Sequence, residues 1–217
     1  MPGVTFVTPP DSQAAFASCD AQAALGSLPR LLRRDAADFA RQPHSVMAAD
    51  PARVREMRAA IGNGPAIAIS WRSIQKASRK ALGERKSIPL EAFARLAADS
   101  GARLVDVQYG DTEEERKAFE ERHPGVLVRI PGLDPFHDLD GLAAALAACG
   151  RVVTSSNVTA HLAGALGVST DLLYLHGWAP FFYWVRANAN ASLWYPSVRL
   201  PSSASDTWED ALGRVAR

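Results

Sequence analysis

Arg151-Val152-Val153-Thr154-Ser155-Ser156-Asn157-Val158-Thr159-Ala160-His161-Leu162-Ala163-Gly164-Ala165-Leu166-Gly167 is the stretch that decides the fold. A short apolar run leads into small polar residues, and these lead into a helix rich in alanine and leucine. That order describes a strand, a tight polar loop and a helix whose N-terminus faces a ligand. The N–H groups of a first helical turn have no intrahelical acceptor, and the helix dipole adds positive potential there. Together they favour an anion, above all a phosphate or diphosphate.

Upstream of this stretch, strands and helices alternate from Gly64 onward. Ala66 to Ser70 reads as a buried strand, Leu90 to Ala98 as a helix opened by Pro89 and Glu91, and Arg103 to Gln108 as a second strand. A charged helix spans Glu113 to Arg122, and Val126 to Arg129 forms a third strand. Leu139 to Ala148 is a helix with Asp138 as cap and Gly150 as stop. After Arg151–Thr154 and the helix Val158–Leu166 come a strand at Thr170–Leu175 and a helix at Trp208–Val215. Such alternation predicts an α/β fold, a doubly wound parallel sheet of five or six strands with helices on both faces. Ligands of such sheets sit beyond the carboxyl ends of the strands. Trp71-Arg72-Ser73, Gln108-Tyr109-Gly110 and Ser155-Ser156-Asn157 all fall at such ends, so three segments converge on one crevice.

Residues 1–61 break the pattern and read as the lead-in or remnant of another domain, with 62–217 as the ligand-binding domain. Val4 to Val7 is a candidate strand, and Asp50-Pro51 opens a helix to Ile61. At 217 residues the chain holds one substantial domain, and 47% hydrophobic with 22% charged residues suits a globular protein. The formal charge is only +1, so no global field favours nucleic acid or an acidic membrane surface. Cys19 and Cys149 form no metal or redox motif, which points to a reduced, cytoplasmic protein. No signal peptide is evident, and no apolar run is long enough to span a bilayer.

Five segments carry a resemblance: Ile69-Ser70-Trp71-Arg72, Lys86-Ser87-Ile88-Pro89-Leu90, Val107-Gln108-Tyr109-Gly110, His161 to Gly167, and Trp194-Tyr195-Pro196-Ser197-Val198-Arg199-Leu200. In this order they resemble the C-terminal half of GT-B glycosyltransferases. The likeness is to the heptosyltransferase-like family 9 and to the O-linked-transferase-like domains that follow tetratricopeptide repeats in bacterial proteins. It runs from about Ser27, where Ser27-Leu28-Pro29-Arg30-Leu31 is similar to the lead-in of the second domain. In such enzymes this half binds the sugar nucleotide, and the other half binds the acceptor and usually supplies the acidic base. The resemblance therefore implies a nucleotide-diphosphate sugar as substrate, no metal or other cofactor, and an acceptor domain or second subunit as partner. The family often has an Asp-Thr pair before its helix; here Ser156-Asn157 stands there, and a carboxylate is gone.

Each candidate carries two readings. Ser156, Asn157, Val158 and Thr159 either hold the diphosphate through N–H groups and side chains or simply cap the helix. His161, one turn in, either donates to phosphate or sugar or is satisfied by a nearby carbonyl, and it is a weak candidate for a catalytic base. No residue spaced to share a metal accompanies it. Arg72 and Lys86 are the cations suited to a departing diphosphate. By the resemblance Lys86 matches a phosphate-binding lysine placed just before a helix start; otherwise it belongs to a solvated basic loop with Lys76, Arg79, Lys80 and Arg85. Ser70, Gln108 and Tyr109 either contact the donor, the latter two at its base or ribose, or end their strands. Asp138 and Asp140 resemble residues near the nucleotide, though capping explains Asp138 more simply. The aromatic group Trp178, Phe181, Phe182, Tyr183, Trp184, Trp194 and Tyr195 is a sugar or acceptor platform, a core, or an exposed surface for self-association.

The expected function is a glycosyltransferase-like domain that binds a nucleotide-diphosphate sugar for transfer to an acceptor hydroxyl. A non-catalytic binding module and a sugar-nucleotide epimerase are the alternatives. Nucleotide (ADP, UDP, GDP or dTDP), sugar and acceptor stay open.

Overall fold

The computed structural model describes residues 4–73, 80–175, 182–185, 190–201 and 207–215. Trp178, Phe181, Lys76 and Arg79 lie outside them. Two compact units divide between Arg41 and Gln42. The first holds helices α1 (Ser12–Ala17) and α2 (Leu28–Leu32) and a 3-10 turn at Ala36–Phe39 closed by a reciprocal Asp35–Asp38 capping box. Val4–Val7, expected as a strand, forms none: Val4, Phe6 and Val7 are exposed, so no apolar face drives pairing.

The second unit is built on six parallel strands: β1 (Ala66–Ser70), β2 (Arg103–Asp106), β3 (Leu127–Arg129), β4 (Arg151–Ser155), β5 (Ser169–Leu173) and β6 (Val198–Arg199). Their order is β3-β2-β1-β4-β5-β6. The connections run one way from β1 and the other way from β4. A crevice therefore opens beyond the carboxyl ends of these two central neighbours, the place where such sheets bind ligands. The helices of this unit are α3 (Pro51–Ile61), α4 (Lys80–Lys86), α5 (Phe93–Ser100), α6 (Glu113–Arg122), α7 (Leu139–Cys149), α8 (Val158–Leu166) and α9 (Trp208–Gly213).

Side chains alternate across the sheet with a period of two. Ile67, Ile69, Leu104, Val153 and Leu173 face one core with Phe93 and Leu96 of α5, Phe119 of α6 and Leu212 of α9. Ala66, Ala68, Val105 and Val152 face the other, with Ile61 of α3, Leu142 and Leu146 of α7 and Ala163 of α8. Burial on both faces explains why the strands read as continuous apolar runs. Asp138 caps α7 by accepting from Gly141 N at 2.9 Å, and it also takes a bidentate ion pair from Arg53 of α3. That pair holds the Asp138 carboxyl down at about 2. Capping is thus the role the structure gives Asp138.

Two boundaries differ from the sequence reading in ways that matter. Lys86 does not precede a helix from a loop; it ends α4, because Lys80-Ala81-Leu82 and Glu84-Arg85-Lys86 are good helix formers on either side of Gly83. Pro89, three residues on, prevents continuation. Leu90–Ala92 is a 3-10 turn, and α5 proper starts at Phe93.

Helix α8 is fastened at its far end. Gly167 adopts φ +73°, while Val46 N and Met47 N donate to Ala165 O at 2.8 and 3.0 Å. On its flank, a Cβ at Gly164 would stand 2.6 Å from the Tyr195 ring. Gly164→Ala gains helix propensity of about 1 kcal/mol but must displace that ring. We expect a net loss of about 1–2 kcal/mol in urea unfolding; unchanged or raised stability would show that Tyr195 does not pack on α8 in solution.

Candidate functional site

The first polar atoms at the crevice come from the ends of β1, β2 and β4. Thr154 Oγ1 donates to Ser70 O at 2.7 Å, binding β4 to β1. Ser70 Oγ donates to Gln108 Oε1 and accepts from Asn157 Nδ2, both at 3.0 Å. Gln108 Oε1 also accepts from Trp71 N at 2.8 Å and Arg72 N at 2.7 Å, and its Nε2 donates to Tyr109 O at 2.6 Å. Ser70, Thr154, Gln108 and Asn157 are all buried. Asn157 is the N-cap of α8: its Oδ1 accepts from Ala160 N at 3.3 Å. Such a cap is worth about 1 kcal/mol, and Val158, the first residue of the turn, lines the crevice with no intrahelical acceptor for its N–H.

Lys86 reaches the same place by a different route. Ile88 N donates to Trp71 O at 2.7 Å, and Ser73 N donates to Ser87 Oγ at 3.2 Å, so the end of α4 is stitched to the end of β1. A cavity of about 360 Å³ results, lined by Ser73, Lys86, Tyr109, Ser156, Asn157, Val158, His161 and Tyr183. Six of the expected site residues meet here: Lys86, Tyr109, Ser156, Asn157, Val158 and His161. Among the described residues lining it none is acidic.

The other four do not reach the cavity. Ser70 and Gln108 stand behind it in the buried network. Arg72 turns to Glu115 of α6, with Nε 2.8 Å from Oε1, and the same carboxylate accepts from Trp71 Nε1 at 2.8 Å. Thr159 is fully buried, and its hydroxyl has no hydrogen-bond partner among the described residues. Sequence reasoning missed Glu115, which sits in a run of charges that reads as a solvated face. It placed Ser73 at the crevice without naming it a candidate, and it missed the role of Ser156, whose Oγ accepts from Trp184 Nε1 at 3.0 Å.

Three of the aromatic residues, Tyr183, Trp184 and Tyr195, pack around His161. The Trp184 ring stacks on the imidazole with centroids 4.5 Å apart, Tyr183 meets it edge-on at 4.8 Å, and Tyr195 Oη lies 3.1 Å from Nδ1. Trp184 is 1% exposed and so belongs to the core rather than to a sugar platform. Exposed apolar side chains here are instead Val158 of the lining and Phe136, whose ring centroid lies 6.4 Å from that of Tyr109. A second cavity of about 560 Å³ lies beyond β2 and β3, lined among others by Asp106, Gln108, Gly110, Arg116, Arg129 and Asp134. There Arg116 Nε donates to Asp106 Oδ2 at 2.6 Å, and burial still pushes the Asp106 carboxyl upward. No cluster of three metal-ligating side chains occurs among the described residues, and no described helix is long and apolar enough to cross a membrane.

No protein-family model matches the chain. Protein FlbA of Caulobacter vibrioides is 35% identical over 202 residues, which cover 91% of this chain and 32% of FlbA. The chain thus spans about a third of that relative's length. Among solved structures, the E. coli ADP-heptose lipopolysaccharide heptosyltransferase II superposes with a TM-score of 0.53 at 18% identity, over 85% of this chain and 55% of that one. A family 9 glycosyl transferase from Veillonella parvula gives 0.46 at 18% identity, over 71% and 41%. The fold is glycosyltransferase-like. The E. coli neighbour is a heptosyltransferase and lends no support to the tetratricopeptide-linked branch of the resemblance.

Burial, and after it the Lys86 charge, holds His161 below its ordinary value, while burial lowers Lys86 itself. The neutral imidazole is therefore the resident form at pH 7. Because the folded value lies below the unfolded one, about 6.5, stability is held above that pH and declines as pH falls below it. Lys86→Met should move the His161 titration upward, read from its imidazole proton resonances. An unmoved titration would show that the ammonium does not face this ring.

Proposed function

We propose that this chain is the sugar-nucleotide-binding part of a glycosyltransferase. The observation that carries the reading is the cavity at the β1/β4 switch point, where the N-terminus of α8 and the buried Lys86 converge without an acidic neighbour among its described lining residues. N–H groups, helix dipole and ammonium all favour an anion, and a low-dielectric wall strengthens each of them. A diphosphate fits that chemistry. Its nucleoside would extend past Tyr109 into the larger cavity beyond β2 and β3.

In a transfer reaction the sugar–oxygen bond breaks and negative charge gathers on the leaving diphosphate. Preorganised donors at that position lower the barrier, and they do so without a metal. Lys86 and the α8 turn would carry this task. Neutral His161 would act as a hydrogen-bond partner of phosphate or sugar. The acceptor hydroxyl and its base would come from another domain or chain, consistent with a relative three times longer.

The second reading, a non-catalytic nucleotide-sugar module, is favoured by Ser156-Asn157. Both side chains are engaged in holding Trp184 and the α8 cap, and neither can accept a proton as a carboxylate does. An epimerase on this architecture would need acid and base groups in the cavity, and its described lining offers no carboxylate.

Calorimetric titration with nucleoside mono- and diphosphates of each common base tests the proposal. ADP heads the panel because the E. coli neighbour is named for ADP-heptose. At least one should bind below millimolar, and Lys86→Ala should weaken it about tenfold or more, the value of a lost charged hydrogen bond. Absence of binding by every member at millimolar concentration would sink the reading. Slow hydrolysis of the matching nucleotide sugar would favour an enzyme, and binding without turnover the module.

A further inference from the structure

A continuous polar chain crosses the carboxyl edge of the sheet. Arg116 Nε donates to Asp106 Oδ2 at 2.6 Å, and Gln108 N donates to Asp106 Oδ1 at 2.9 Å. Ser70 Oγ then donates to Gln108 Oε1 at 3.0 Å, Asn157 Nδ2 donates to Ser70 Oγ at 3.0 Å, and Asn157 Oδ1 accepts from Ala160 N. The chain starts in the wall of the larger cavity and ends on the first turn of α8 in the wall of the smaller one.

Gln108 is its centre. The side-chain oxygen accepts from Ser70 Oγ, Trp71 N and Arg72 N, and the amide nitrogen donates to Tyr109 O and, at 3.4 Å, to Arg72 O. A primary amide has one oxygen and two hydrogens, so this residue has no group left to offer a ligand. It is 1% exposed, so where it meets the wall of the larger cavity it brings no unused side-chain polar group. Its bonds join the loop after β1, the loop after β2 and, through Ser70, the cap of α8. These are the three segments that form the cavity.

We propose that Gln108 is a positioning residue: acting through Ser70 and Asn157, it sets where the first turn of α8 stands in the anion cradle, and its side-chain amide makes no hydrogen bond to the ligand. This rests on the reading that the cradle holds the phosphates of a nucleotide. Leucine at position 108 would keep the bulk and remove every side-chain bond, leaving the backbone bonds to Asp106 and Arg116. Alanine at position 70 would cut only the link between Gln108 and Asn157.

The test compares inorganic pyrophosphate, which reports the cradle alone, with the tightest nucleotide of the panel. Gln108→Leu and Ser70→Ala should weaken both ligands by the same factor, about five- to tenfold for the loss of a buried hydrogen bond. The Ala160 amide resonance, which reports the cap without any ligand, should shift in both variants. Circular dichroism and thermal unfolding check the fold, and Ser70→Ala, a single hydroxyl deletion, serves if Gln108→Leu does not fold. A variant that loses nucleotide affinity while pyrophosphate is unchanged would make Gln108 a direct contact and overturn the proposal. So would two variants with wild-type affinities and an unmoved Ala160 resonance. A wild-type chain that binds neither ligand would overturn the nucleotide reading, and this proposal with it; a binding wild type with indifferent variants would overturn this proposal alone.

Discussion

The parallel pairing of β1 with β4 is the constraint on which the rest depends. It places Ser70 opposite Thr154, and the Thr154 hydroxyl closes on the Ser70 carbonyl. From that junction the chain departs in two directions, toward β2 and β3 on one side and β5 and β6 on the other. A crevice between diverging loops follows from the topology alone. The residues then decide its chemistry. Small polar side chains at 154–157 leave room for backbone N–H groups to face outward, and the stitch between Ile88 and Trp71 brings the end of α4 alongside.

Ser156 and Asn157 occupy positions where the resembling families often carry Asp-Thr. An aspartate there would set a negative charge in a cavity whose described lining carries Lys86 and no acid. The serine instead anchors the Trp184 indole, and the asparagine divides its amide between the α8 cap and Ser70. The substitution thus exchanges a possible proton acceptor for rigidity. That supports tight placement of a ligand more directly than it supports bond-making.

The strand–helix alternation was legible because burial on both sheet faces writes itself as unbroken apolar runs. β1, α6 and α8 fall at the residues that composition and capping indicate. β6 was invisible because two residues carry no period. The convergence of Tyr109, Asn157 and, one turn on, His161 was readable from strand ends, whereas Lys86, at the end of α4, was indicated by the resemblance. The diversion of Arg72 was not, since Glu115 lies 43 residues away and looks like any surface acid. Gln108 was readable as important but not as interior, because a glutamine at a strand end gives no sign of which polar groups will claim its amide.

The two outer strands have a further consequence. β3 is three residues long and β6 is two. Each ends in an arginine engaged with an acid: Arg129 with Glu113, and Arg199 with the fully buried Asp171, which Arg151 also grips from the β4 side. Unpaired sheet edges are templates for another chain's backbone; β3 is a short, charged border and so a poor one, while the outer side of β6 is already taken, with Ser192 N donating to Val198 O at 3.0 Å and Leu200 N to Asn190 O at 2.6 Å. This sheet can therefore stop at six strands without recruiting a seventh from a neighbour.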